Sequence, residues 1–95
     1  MIPKSFALGG ITWKVRKKKR VFLDNKQECN GLCDWEKRTI YLATLDVTDE
    51  MMEETFKHEL VHAILDTMTH PLSLDESFVN TFATFWHQFD KTKKC

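Results

Sequence analysis

The hydrophobic pattern changes period about halfway along the chain, and this change restricts the fold more than any other sequence feature. Ile11, Trp13 and Val15 alternate with polar residues, which is typical of a half-buried strand. From Met52 onward, apolar residues recur at the helical spacing of about 3.6 residues. The chain has 95 residues, which suits one domain spanning residues 1–95. We therefore expect strands first and helices afterwards.

Two hairpins are predicted in the first half. The strand at residues 11–15 runs into the basic segment RKKKR (residues 16–20), which we expect to be a charged turn before VFLD. A second hairpin joins residues 30–35 (NGLCDW) to TIYLA (residues 39–43), with the turn at residues 36–38. Asn30-Gly31 marks a turn or bulge just before the third strand.

Two helices are predicted in the second half. The first has Thr48 as its N-cap and acidic residues in its first turn, and it ends near Met68, before Pro71. The second starts near Ser73 and carries a phenylalanine stripe, which we expect to be core: Phe78, Phe82, Phe85 and Phe89. The order of elements predicts an α+β fold, in which a small antiparallel sheet of three or four strands packs against two helices.

Charge and cysteine content argue against several classes of protein, although a nucleic-acid-binding domain that uses the basic segment at residues 16–20 stays open as a weaker alternative. Lys+Arg and Asp+Glu both number 14, which argues against a nucleic-acid or membrane-surface binder. No apolar run approaches the roughly 20 residues that a membrane helix needs, and the N-terminus lacks a signal-peptide pattern. We therefore expect a cytoplasmic protein. Cys29, Cys33 and Cys95 are expected to be reduced thiols, rather than disulfides or ligands of a structural zinc.

The first predicted helix contains the sequence HELVH at residues 58–62. Residues four apart share a helix face, so His58 and His62 can bind one zinc ion through their imidazole nitrogens. Glu59 lies one position around the helix. There its carboxylate can take a proton from a zinc-activated water and pass it to a leaving amine. The alternative is a solvated helix face whose side chains pair with lysines.

Zinc hydrolases usually have a third protein ligand, and the residues leave its identity open. Met68 occupies the position at which a metzincin has its third histidine, so that pattern is excluded. Glu76, at the start of the second helix, is preferred, and Asp75 and His70 are alternatives. Ser73 and Glu76 also fit a capping box, in which Glu76 would bond its own helix N-terminus instead.

The motif HELVH, the strand TIYL and the segment ESFVNTFA (residues 76–83) together resemble the zincin metallopeptidases. More narrowly, they resemble the gluzincin-like small bacterial and phage proteins of the ImmA/IrrE type. The resemblance covers roughly residues 30–89, although the gap between His62 and Glu76 is shorter than in that family. It implies one Zn²⁺ ion held by His58, His62 and Glu76, with Glu59 as the general base. It also implies a peptide or protein substrate, bound along an edge strand for which residues 30–35 are the candidate.

The leading prediction is therefore a zinc-dependent metallopeptidase. The alternative is a zincin-shaped module that is catalytically weak or inactive, in which zinc stabilises a small fold that acts through a protein partner. A peptidase also needs a donor for the transition-state oxyanion besides the zinc. The candidates are Tyr41, His70 and His87, of which His70 is preferred because it lies between the two predicted helices.

Overall fold

Strands form the first half of the chain and helices the second, as the change of period predicts. The computed structural model describes residues 2–94. Its elements are β1 (Ser5–Leu8), β2 (Ile11–Lys18), β3 (Val21–Phe22), β4 (Glu28–Cys29), β5 (Gly31–Asp34), β6 (Thr39–Ala43), α1 (Asp49–Thr67) and α2 (Glu76–Thr92). A single 3₁₀ turn, Pro71–Leu74, joins the two helices.

A four-stranded sheet in the order β1-β2-β6-β5 forms one layer, and β3 pairs with β4 in a separate small sheet. The predicted α+β class, with a small sheet and two helices, is confirmed. The sheet is mixed rather than antiparallel, because β2 and β6 run parallel, with Val15 opposite Ile40. The chain reverses once through the β3–β4 hairpin and again through the β5–β6 hairpin. These two reversals return β6 to the direction of β2.

Only one of the two predicted hairpins forms as expected. The β5–β6 hairpin is confirmed, with Cys33 opposite Ile40. The predicted hairpin around the basic segment is wrong, since Arg16, Lys17 and Lys18 continue β2. The turn comes later, where the Asn25 side chain accepts a hydrogen bond from the backbone N–H of Gln27. A short polar side chain that hydrogen-bonds to nearby backbone favours a turn more strongly than a run of charged residues does, so the turn forms at Asn25.

Helix α1 packs on the sheet through one of its faces. The Thr48 hydroxyl accepts a hydrogen bond from the Met51 N–H, so the predicted N-cap is confirmed. The core between sheet and helix is made of apolar side chains from β2, β6 and α1: Trp13, Ile40, Leu42, Met52, Phe56 and Ala63. Burial of these side chains orients α1 and leaves another of its faces toward the edge strand β5. Over the described chain, no helix has the length and apolar character needed to span a membrane.

Helix α2 packs on α1 rather than on the sheet. Its contact face consists of Val79 and Ala83, which meet Val61 of α1, with Trp86 at the margin. The expectation that the phenylalanine stripe forms the core is wrong, because all four of its side chains are exposed. Small side chains at the interface let the two helices approach closely, and the larger aromatic side chains are left on an adjacent face of α2.

A buried lysine connects α1 to the C-terminal half of α2. The Lys57 ammonium donates to His87 Nδ1 and to the Asp90 carboxylate, at 2.9 Å in each case. A buried ammonium without acceptors would cost several kcal/mol, so these contacts are needed for α1 to tolerate the charge. Lys93 also pairs with Asp90. These contacts anchor the C-terminal half of α2 to α1 and so help to keep the helix in register.

The Asp90 contacts predict a specific dependence of stability on pH. Hydrogen bonds from Lys93 and from Lys57 hold the pKa of the Asp90 carboxyl well below its usual range. A depressed folded-state pKa stabilises the fold above the ordinary carboxyl pKa of about 3.9, and this stabilisation is lost as the pH falls further. We therefore expect Asp90→Asn to lower the melting temperature at about pH 6, and the deficit to shrink toward about pH 2.

Thermal melts in the presence of chelator, compared across this pH range, measure the effect. Asp24→Asn is the matched control, because Asp24 is an exposed turn residue without an ion pair among the described residues. A deficit for Asp90→Asn that stays constant with pH would contradict this account of the Asp90 carboxylate.

Candidate metal centre

The two histidines of HELVH face the same side of α1. Their ring centroids lie 5.1 Å apart, and both side chains are partly buried in a cleft between α1, β5 and the start of α2. Spacing of four residues places them one helical turn apart, as predicted. Their Nε2 atoms point at one further group, the carboxylate of Glu76.

Glu76 reaches both histidines from the N-terminus of α2. Its two carboxylate oxygens lie 3.2 Å from His58 Nε2 and 2.7 Å from His62 Nε2. The capping-box alternative is wrong, because the N-cap of α2 is Asp75, whose carboxylate accepts from the Phe78 N–H at 3.0 Å. Glu76 is consequently the first residue of the helix, and its side chain is free to turn toward α1.

The 3₁₀ turn between the helices orients the second histidine. His62 Nδ1 donates a hydrogen bond to the backbone carbonyl of Ser73 at 2.8 Å. Because a carbonyl oxygen only accepts, the Nδ1 atom carries a proton in this contact, and Nε2 is the ring nitrogen that faces the cleft. The Ser73 hydroxyl in turn bonds Asp66, one helical turn after His62 on α1. Such outer contacts are typical of histidines that bind metal.

The donor set fits a divalent transition metal. The ligand atoms of His58, His62 and Glu76 lie within 4.8 Å of one another. Burial lowers the pKa of His58, against the opposing effect of the Glu76 charge, so the ring favours its neutral form. Neutral imidazole is the form that binds metal, and two imidazoles with one carboxylate match the three-ligand sets of zinc hydrolases.

Glu59 lies beside this cluster and is 8% exposed. Burial, and to a lesser degree the charge of Glu76, raise the pKa of Glu59 to about 8. A pKa close to neutral pH lets a carboxyl group both take up and release a proton, which suits general acid–base catalysis. Glu59 packs against β5, where Gly31 allows the close approach. A Cβ atom at Gly31 would lie 3.3 Å from Glu59 Cγ and 2.6 Å from Thr55 Cγ2.

An open cleft of about 840 Å³ contains the cluster. One wall is β5, which is the edge strand of the four-stranded sheet and includes most of the segment predicted to bind substrate. The opposite wall is the 3₁₀ turn and the first turns of α2, including Leu74 and Asn80. The histidines lie between an open strand edge and a helix N-terminus.

The structure separates the other histidine and tyrosine candidates from the cluster. His70 Nδ1 caps the 3₁₀ turn by accepting from the Leu72 N–H, and His87 is buried against Lys57. Tyr41 points away from α1, because its neighbours Ile40 and Leu42 on β6 point into the core. Among the residues that line the cleft within the described chain, none of these three is found. We therefore assign no oxyanion donor among them.

Two of the cysteines line the cleft without joining the cluster. Cys29 lies on β4 and Cys33 on β5, and the chain bends at Asn30 between the two strands. Both are free thiols, as predicted. Burial raises the pKa of Cys33 well above its ordinary value, which keeps the thiol protonated and unreactive. Cys95 lies outside the described residues.

Sequence reasoning overlooked three residues that support the cluster. Asp66 and Ser73 orient His62, and Gly31 admits Glu59 beside β5. The position of Asp66 offered one signal, since it follows His62 by four residues and so shares its helix face. The roles of Ser73 and Gly31 depend on contacts between distant segments, which no local pattern encodes.

Comparison of the chain with protein-family models, with curated proteins and with solved structures returned no match. The geometry of the cluster and the motif in α1 therefore carry the functional argument.

The close approach at Gly31 can be tested by substitution. Gly31→Ala places a methyl group against Thr55, and we expect a loss of roughly 1–3 kcal/mol in the free energy of unfolding, as is typical of overpacking. Thr55→Ser removes the Cγ2 atom that the methyl group meets, so the double variant should regain part of the loss. Denaturant unfolding of the two single variants and the double variant measures the coupling. A double variant whose loss of stability equals the sum of the two single losses would contradict the proposed contact.

The sequence-based prediction of one zinc ion per chain can be tested at the cluster of His58, His62 and Glu76. Glu76→Gln should weaken zinc binding by more than the roughly 100-fold that loss of a supporting contact costs. Glu54→Gln is the matched control, since Glu54 lines the same cleft but is not part of the cluster. Competition with a chromophoric chelator measures both affinities. Equal weakening by both substitutions would show that only the general negative charge of the cleft attracts the cation.

Proposed function

We propose that this protein is a zinc-dependent metallopeptidase that hydrolyses peptide bonds. The proposal rests on one observation above all. Two imidazole Nε2 atoms and a carboxylate from a second helix meet at one point, with a buried carboxyl group beside them. The resemblance of HELVH and ESFVNTFA to the zincins of the gluzincin-like ImmA/IrrE type supports the same reading.

His58, His62 and Glu76 would hold the ion in this proposal. When bound, zinc supplies a Lewis acid that polarises a peptide carbonyl and makes water more acidic. The remaining chemistry belongs to the chain itself. The Glu59 carboxylate accepts a proton from the attacking water and later donates it to the leaving amine nitrogen. The hydrogen bond from His62 Nδ1 to Ser73 keeps that ring in the tautomer whose Nε2 faces the cleft.

The edge strand β5 is the proposed binding site for the substrate. Its outer edge pairs with no other strand of the four-stranded sheet. An extended peptide would add to this edge through backbone hydrogen bonds, with its scissile bond alongside the histidines. The substrate is accordingly an extended or locally unfolded segment of protein. We place the reaction in the cytoplasm, because Cys29 and Cys33 are free thiols and a reducing compartment keeps thiols in this form.

The Glu59→Gln variant tests the proposed base. Glutamine keeps the shape of the side chain but does not take up a proton, so we expect unchanged zinc affinity and a loss of roughly 10²- to 10⁴-fold in kcat/KM. Cleavage of a fluorogenic peptide library by the zinc-loaded protein is the assay, with Glu54→Gln as the control for charge in the cleft.

Three outcomes of this assay are informative. Retained zinc with lost cleavage supports the assignment of Glu59. Unchanged cleavage by the variant rejects Glu59 as the base. A wild-type protein that binds zinc, cleaves no peptide and unfolds with chelator rejects the peptidase and favours a zinc-stabilised binding module.

A further inference from the structure

The phenylalanine stripe of α2 leaves a large apolar surface in contact with solvent. Phe78, Phe82, Phe85 and Phe89 are 36%, 53%, 64% and 66% exposed, and Leu74, just before the helix, is 90% exposed. A fully exposed aromatic side chain presents on the order of 200 Å², so together these residues expose roughly 600 Å². A contiguous patch of this size lies at the upper limit for monomers and marks an interaction site.

The spacing of the stripe indicates what shape of partner fits it. The four phenylalanines follow one another at intervals of four, three and four residues, which is the heptad spacing of a coiled-coil seam. A helix that packs on its own domain uses a wider face, and α2 already has one in Val79, Ala83 and Trp86. The stripe lies beside this buried face, so a second helix can reach it without displacing α1.

The charges along α2 favour a second copy of the same helix in antiparallel orientation. Asp75 and Glu76 lie at its N-terminal end. At its C-terminal end Lys93 and Lys94 outnumber Asp90, and Lys91 pairs with Glu53 of α1. Between Ser77 and Phe89 there is no acidic side chain and no lysine or arginine. Antiparallel pairing places each acidic end beside the basic end of the other copy, and it also opposes the two helix dipoles. Parallel pairing would bring like charges together at both ends.

We propose that the protein forms a symmetric dimer through the phenylalanine stripes of two antiparallel α2 helices. The two-fold axis passes between Phe82 and Phe85. Phe82 of each copy therefore meets Phe85 of the other copy, and Phe78 of each copy meets Phe89 of the other. Such an interface is self-complementary, as a two-fold dimer requires. The roughly 600 Å² of apolar surface from each copy, together with the polar flanks, matches the roughly 800 Å² per partner of a stable interface.

The dimer brings the second copy close to the candidate metal centre. Leu74 lies at the rim of the cleft and continues the stripe toward it. The basic C-terminal end of the second α2 consequently lies beside Glu76, at the α2 side of the cleft. The apolar contact of the dimer does not involve the metal cluster, because none of the stripe residues belongs to it, whereas Glu76 contributes both to that cluster and to the acidic end of α2.

Sedimentation equilibrium of the full chain over a range of concentrations tests the dimer. The wild-type protein is expected to pass from monomer to dimer, and Phe82→Glu with Phe85→Glu should raise the dissociation constant at least roughly 30-fold, since central aromatic residues dominate such interfaces. Gln88→Glu adds one negative charge to an exposed position of α2 outside the stripe and should have little effect. Circular dichroism melts establish that each variant is folded. We expect every variant to fold, because the substituted side chains are exposed.

The orientation is tested by Lys93→Glu combined with Lys94→Glu. In an antiparallel dimer the substituted end meets the acidic end of the second copy, so dimerisation should weaken several-fold at low salt and recover at high salt. A dimer whose affinity is unchanged by this double variant contradicts the antiparallel arrangement. A wild-type protein that stays monomeric up to about 1 mM overturns the proposal and leaves the stripe to a different protein partner.

Discussion

Burial of α1 on two sides determines where every residue of the candidate metal centre lies. The sheet covers the face that carries Met52 and Phe56, and α2 covers the face that carries Val61. Only one strip of α1 remains open, beside the edge strand β5, and His58 and His62 lie on that strip. The same packing buries Glu59 and brings the N-terminus of α2 close enough for Glu76 to reach both imidazoles.

The N-terminus of α2 contributes to the cluster in two ways. Asp75 caps the helix, which leaves the Glu76 carboxylate available for the histidines. The preceding 3₁₀ turn supplies the Ser73 carbonyl that orients His62. Both contacts require α2 to stay in register on α1, and the Lys57 contacts at the far end of the helix pair help to hold it there. A small chain can thus position three candidate ligand side chains with one helix pair and one turn.

Several of these features could be predicted from the sequence because they depend on local patterns. The helix with its Thr48 cap, the β5–β6 hairpin and the shared face of His58 and His62 follow from spacing and capping chemistry alone. The parallel pairing of β2 with β6 could not be predicted, since it depends on two chain reversals. Nor could the exposure of the phenylalanine stripe, because an apolar helix face reads the same whether its own domain or another chain covers it. Glu76 could be predicted only in part. Its residue type favoured a role as a ligand, but a capping role was excluded only by the structure, in which Asp75 caps the helix.

The central claim is that His58, His62 and Glu76 bind one zinc ion. X-ray absorption spectroscopy of the zinc-loaded protein measures the ligand atoms directly. The account predicts two imidazole nitrogens at about 2.0–2.1 Å and carboxylate oxygen at about 2.0–2.2 Å, with no sulfur. A sulfur scatterer at about 2.3 Å would place the zinc at Cys29 or Cys33 instead, and a shell of oxygen alone would mean that the histidines do not bind the ion. Either result would contradict the claim.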